Sequence, residues 1–143
     1  MSTLRLPYYQ LSANALSGLR QCKQALEDSP LGLPLIELVY LRISQINGCS
    51  YCLGLHADAL RARGEPQQRL DALAGWHASA LFSPRERAAL QWAEALTALP
   101  DNHAADADYQ PLAAHFSAQE VSDLTFAIAL MNAFNRLAVG MRQ

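Results

Sequence analysis

The stretch LPLIELVYLRISQINGCSYCLGLHADALRARGE, Leu33 to Glu65, decides the fold. Its apolar residues Ile36, Val39, Ile43 and Ile46 recur at three- and four-residue spacing, the period of one helix face. Pro34 suits the first turn of that helix, where a backbone N–H has no partner to lose. Asn47-Gly48 is a breaker pair that ends it. A second helix opens around Cys49 and runs to Arg63, with Gly64 in the position that tolerates left-handed backbone.

The helical period continues on both sides. Upstream, Ser12 can cap a helix carrying Leu16, Leu19, Cys22 and Leu26 on one stripe, ending before Pro30. Downstream, a shorter helix spans Gln67 to about Trp76. Ser83-Pro84-Arg85-Glu86 then combines an N-cap, a proline at the first helical position and a glutamate three residues on, a capping box. That helix carries Leu90, Ala93 and Leu96 towards Pro100. Asp101 to Asp106 reads as a polar connector, and Tyr109 to His115 holds one short turn of helix. Ser117-Ala-Gln-Glu120 is a second capping box, opening a long helix to Gly140. No stretch alternates with period two, so the expectation is an all-α bundle in a single domain, residues 1–143.

The last helix is apolar on nearly every side, from Val121 through Phe126 and Phe134 to Val139. A helix apolar all round is expected to be buried all round, and part of this surface is expected to meet another subunit. Composition fits that picture. At 143 residues and 51% apolar the chain can build a core without disulfides. Eleven basic against 13 acidic side chains, a formal charge of −2, argue against nucleic acid or an anionic membrane as the main partner. The start, Met1 to Gln10, lacks a signal-peptide core, and Phe126–Met131 is far shorter than the ~18–20 apolar residues of a membrane span. The default location is the cytoplasm, where thiols stay reduced.

Three cysteines are too few for a disulfide framework, so their placement carries the information. Cys49 and Cys52 lie three apart at a helix start, on one face and close enough to join. Unpaired N–H groups and the positive end of the helix dipole stabilise a thiolate there. His56 is one turn beyond Cys52 on the same face and can take its proton; Cys49 is about 10 Å from it along the axis. Glu37 sits in an apolar setting on the preceding helix. If the turn makes the helices antiparallel, Glu37 lies about 16 Å back from it and His56 about 12 Å forward, which leaves a contact open. A buried carboxylate needs a partner, and His56 is the candidate that it would orient.

Other readings of these residues weigh against this one. Structural zinc needs four ligands, and one CxxC with His56 and a glutamate supplies at most an open site. A thioredoxin-like motif lacks its βαβ context, and haem attachment lacks a histidine at Leu53. Cys22 reads as a buried, inert thiol, and His77, His103 and His115 as surface histidines. Trp76 and Trp92 read as core anchors, with Trp76 able to border a pocket. Asn132 and Asn135, polar on an apolar helix, call for hydrogen bonds between helices or subunits.

Glu37-x11-Cys49-x2-Cys52-x3-His56, within IELVYLRISQINGCSYCLGLHADALRARGE, resembles the carboxymuconolactone decarboxylase / alkyl hydroperoxidase D-like (AhpD-like) family. The likeness continues through FSPRERAALQWAEALT at Phe82–Thr97 and AFNRLAV at Ala133–Val139, with the motif core at about residues 35–97. The resemblance implies an all-helical bundle assembling into trimers or hexamers. Its cysteine-bearing branch reduces hydroperoxides, whereas members acting as the lactone decarboxylase lack the pair. Carried over, it makes Cys52 the peroxidatic cysteine, Cys49 the resolving one, His56 the base and Glu37 the proton relay. Tyr51 departs from the pattern, standing where the best-known peroxidase of the family has a second histidine. The implied cycle has no resident cofactor and needs an external dithiol from a thioredoxin-like or lipoyl-protein reductant. A non-catalytic redox sensor and a lactone decarboxylase-like enzyme on the same fold are the competing functions.

Overall fold

Helix α3, Leu33–Asn47, is the axis of the structure, and its composition explains why. Seven of its large side chains, Leu35, Ile36, Leu38, Val39, Tyr40, Leu41 and Ile43, are buried, and they point to more than one side. Burying each stabilises the fold by roughly 1.5–3 kcal/mol, but only if α3 is enclosed by neighbours on every flank. The computed structural model, which describes residues 3–143, encloses it in that way. Met1 and Ser2, the first residues of the amino-terminal stretch read above, lie outside the described residues.

Among the described residues the order is α1 Tyr8–Leu11, α2 Ala13–Glu27, α3, α4 Ser50–Ala62, α5 Gln67–Ala72, α6 Pro84–Thr97, α7 Leu99–Asn102, α8 Asp106–Tyr109 and α9 Ala118–Met141. Short 3₁₀ turns follow α5, at Leu73–Ala78, and α8, at Gln110–Ala114. No strand is present among these residues. One core layer joins α3 to α6 and α9 through Ile36, Val39, Ile43, Ala89, Trp92, Leu124, Ile128 and Met131. A second joins the other flank of α3 to α4, the α5 region and α6 through Leu38, Leu41, Leu60, Leu73, Trp76 and Leu90. The all-α bundle expected from the sequence is therefore the fold found.

Both expected capping boxes form: Ser83 with Glu86, and Ser117 with Glu120, each exchange reciprocal hydrogen bonds at a helix start. Gly48 ends α3 at φ 66° and Gly64 follows α4 at φ 85°, conformations that a Cβ would strain. Ser12 precedes α2 but its side chain makes no capping bond. The expected polar connector at Asp101 is tighter than read, since α7 runs into it and His103 and Ala104 both adopt positive φ.

Within one chain α3 is the more fully enclosed helix, and α9, expected to be buried all round with part of its surface against another subunit, keeps an open flank. Leu124, Ala127, Ile128, Leu130, Met131 and Ala138 are buried, but Phe126 is 61% and Val139 48% exposed. By length and hydropathy alone α9 could cross a bilayer. Its inner face is instead the core of the bundle, and Asn132 and Asn135 on it bond to other helices. The amino terminus adds an unforeseen strap. Arg5 donates its backbone N–H to Met141 O at 2.8 Å, and Tyr8 hydrogen-bonds the Gln143 side chain, tying α1 to the end of α9.

Candidate functional site

The helix α3 turn delivers Cys49 to the N-cap of α4, so the first thiol sits where backbone donors converge. Its Sγ accepts from the Cys52 N–H at 3.3 Å. Cys49 and Cys52 are joined in a disulfide, with Cα atoms 5.3 Å apart. Both are buried, against Ala138 of α9. The two residues read as a pair are thus a pair.

His56 is one turn further along α4 and is buried. Its Nδ1 lies 2.7 Å from Oε2 of Glu37 on α3, so the contact suggested by axial arithmetic is direct. In the neutral imidazole the Nδ1–H donates to the carboxylate, which leaves Nε2 as an acceptor. Asn47, at the end of α3, locks this hairpin to α9 by donating to Asn132 and Asn135, each at 3.0 Å. Asn135 in turn donates to Ser44 at 3.1 Å. The asparagines therefore bond between helices, as expected.

Tyr40 was not among the expected site residues. It lies one turn after Glu37, with its ring 5.2 Å from that of His56. Its hydroxyl is buried with no hydrogen-bond partner, and burial, followed by the nearby Glu37 carboxylate, holds its pKa far above the usual value. The i, i+3 spacing from Glu37 was the available signal.

A cavity of about 240 Å³ opens on the pair from one side. Cys52 and His56 line it; Cys49 does not. Its walls are Leu16, Leu55, Met131 and Phe134, with Tyr8 and Tyr9 of the strap and Tyr51 at α4. Tyr51 is 48% exposed and contributes to the lining, not to the core. A smaller cavity of about 80 Å³ lies behind, bordered by Glu37 and Tyr40. A broader groove, lined by Trp92, Tyr109, Phe116 and Phe126, shares no residue with the thiol site.

A second carboxylate centre stands apart from the thiols. Glu94 of α6 accepts from Arg42 at 2.9 Å and from the Trp76 indole at 2.8 Å, and its other oxygen meets His77 at 2.9 Å. Burial pushes this carboxyl up, but the hydrogen bonds from His77, Trp76 and Arg42 outweigh it and hold the pKa below the usual value. His77, His103 and His115 are exposed, as read. Trp76 and Trp92 are core anchors, and Trp76 does not reach the thiol cavity. Cys22 is free and only partly buried, where full burial was expected.

Residues 13–95 match the model of the carboxymuconolactone decarboxylase family. The chain is 29% identical over 137 residues to the uncharacterized protein YdfG of Bacillus subtilis strain 168, covering 96% of this chain and 93% of that one. It superposes with a TM-score of 0.94 and 33% identity on a protein of unknown function from Agrobacterium tumefaciens, provisionally described as the antioxidant defence protein AhpD, covering 99% and 97% of the two chains. The alkylhydroperoxidase AhpD core of an uncharacterized peroxidase-related protein from Ralstonia eutropha JMP134 gives a TM-score of 0.80 at 25% identity, covering 94% of this chain and 73% of that one.

Proposed function

This chain belongs to the carboxymuconolactone decarboxylase family, and from that premise we propose that it is a thiol-dependent hydroperoxide reductase cycling through the Cys49–Cys52 disulfide. The observation that carries the reading is an asymmetry. Cys52 and His56 face the cavity, while Cys49 is bonded to Cys52 from outside the lining. That arrangement suits Cys52 as the peroxidatic thiol and Cys49 as the resolving one. The likeness to peroxidase-related proteins supports it.

In the reduced protein Nε2 of His56 takes the Cys52 proton, and Glu37, bonded at Nδ1, stabilises the imidazolium that forms. The thiolate attacks the terminal oxygen of the hydroperoxide. The O–O bond breaks, Cys52 becomes a sulfenic acid, and the departing alkoxide takes the proton back from His56 to leave as alcohol, or as water from hydrogen peroxide. The Cys49 thiol then attacks the sulfenic sulfur. The S–O bond breaks, water leaves, and the disulfide closes before further oxidation. An external dithiol, from a thioredoxin-like or lipoyl-bearing protein, regenerates both thiols by exchange. The exposed Phe126 and Val139 on α9 support a homo-oligomer, a trimer or hexamer as the family resemblance implies.

Intact-mass measurement after one peroxide pulse tests the chemistry. Reduced wild type is expected to lose two hydrogens per peroxide consumed, and Cys52→Ser to lose none and consume none. Persistence of both thiols in wild type, or peroxide consumption by Cys52→Ser at the wild-type rate, would falsify the assignment. One oxidation with no turnover under any dithiol would point instead to a redox sensor.

A further inference from the structure

We infer that the cavity at Cys52 takes an amphipathic anion, so that the substrate is an organic hydroperoxide bearing a negatively charged group, carboxylate or phosphate; this rests on the reductase reading above. Size comes first. A volume of about 240 Å³ is several times the ~30 Å³ that a water molecule occupies in the liquid, and hydrogen peroxide is only one oxygen larger than water. A site for that oxidant alone would not need this room.

The walls give the tail. Leu16, Leu55, Met131 and Phe134 present apolar surface to the cavity, which water covers poorly and a hydrocarbon covers well. The charge is at one side. Arg20 and Lys23 stand one turn apart on α2 and both line the cavity, while no aspartate or glutamate does. The other arginines near the core have fixed partners: Arg42 with Glu94, Arg69 with Glu86, Arg85 with Glu120. Arg20 and Lys23 have no ion-pair partner among the described residues, and this pair of cations lies in a chain of formal charge −2. Lys23 also borders the smaller cavity with Glu27 and Glu37, so Arg20 is the cation committed to the larger cavity alone. Helix α2 therefore holds the anionic head, the apolar walls hold the carbon skeleton, and the peroxide reaches Cys52.

The bond changes are those of the cycle above, with the anion a spectator. The thiolate takes the terminal oxygen, the O–O bond breaks, and the product is the alcohol of the same anionic compound.

Two measurements test the inference separately from the reductase reading. Calorimetric titration of wild type compares octanoate and octyl phosphate with octanol and octylamine. At least one anion is expected to bind about tenfold or more tighter than octanol, and octylamine weaker, as a charged hydrogen bond predicts. The stronger anion identifies the head group. Arg20→Gln/Lys23→Gln is expected to bring the anion-to-octanol ratio close to one, and Arg20→Lys to keep most of it. In turnover, wild type is expected to prefer a carboxylate-bearing alkyl hydroperoxide over tert-butyl hydroperoxide by a similar factor, expressed in KM and abolished in the double variant. Equal binding of octanoate, octyl phosphate and octanol by wild type, or an unchanged ratio in the double variant, overturns the inference. Turnover of every hydroperoxide without preference leaves the reductase reading standing and removes this one. Selective anion binding with no peroxide consumed does the reverse, keeping the anion-recognising cavity and discarding the reductase.

Discussion

Two glutamates on neighbouring helices each meet a histidine, and there the likeness between the two regions ends. Glu94 on α6 has both oxygens occupied, by Arg42, Trp76 and His77, and Arg42 is a permanent cation. Glu37 on α3 is buried with His56 as its hydrogen-bonded side chain, and that partner can gain or lose a proton. A carboxylate filled by several donors, one of them a permanent cation, ties elements together, here α3, the 3₁₀ turn after α5, and α6. A carboxylate with one titratable partner can steady a charge that comes and goes. The contrast between a saturated and an unsaturated carboxylate, more than the presence of a glutamate–histidine contact, separates scaffold from chemistry.

The comparison breaks most visibly in activity. His56→Ala is expected to lower kcat/KM for peroxide reduction by about 10²–10⁴-fold, the range of a lost general base, with Glu37→Gln lowering it in the same direction by less. Glu94→Gln is expected to stay within a few-fold of wild type. Steady-state kinetics with a saturating dithiol reads all three. If Glu94→Gln costs as much as Glu37→Gln, the division is wrong.

The next effect is on stability and runs the other way. Glu94→Gln removes charge-assisted bonds to three partners and is expected to cost about 1–3 kcal/mol in urea unfolding at neutral pH. Glu37→Gln keeps an acceptor for His56 and is expected to cost less.

The smallest effect is in acid. Because the folded Glu94 carboxyl titrates below its ordinary value of 4.5, its contribution is fully present above that pH and is lost as pH falls through the lower folded value. The stability gap between wild type and Glu94→Gln is therefore expected to narrow below pH 4.5. Unfolding curves at neutral pH, 4.5 and 3 measure it. Glu86, also held low by Arg69 and Ser83 against the opposing effect of burial, keeps part of the acid slope in both proteins.

How much of this was legible in the chain follows from distance along it. The α3–α4 turn, both capping boxes and the Glu37–His56 contact rest on residues close in sequence, or on helix rise alone, and all were readable. The amino-terminal strap was not, since Tyr8–Leu11 is one turn long and its tie runs from Arg5 to Met141. The Glu94 centre was missed for the same reason, because Arg42, Trp76 and Glu94 lie on separate elements whose docking no local pattern encodes. The sequence predicts one helix from Gln67 to about Trp76, yet the chain tightens to 3₁₀ geometry at Leu73, where Trp76 turns inward. The last helix shows the limit of composition. Counting apolar residues does not say how many flanks have neighbours, and α3, with Glu37 and Ser44 on it, proved the better enclosed.

The disulfide spans three positions, from the cap of α4 to its first turn. A ring that small removes little freedom from the unfolded chain, about 2 kcal/mol by the loop-entropy relation against nearly 5 for a ring of a hundred residues. The neighbours that hold α4 lie on other helices, with Leu60 in the second core layer. Closing or opening the ring therefore tilts the unfolding equilibrium by a factor of about 30, a bias set at one helix end on a bundle whose packing lies between helices.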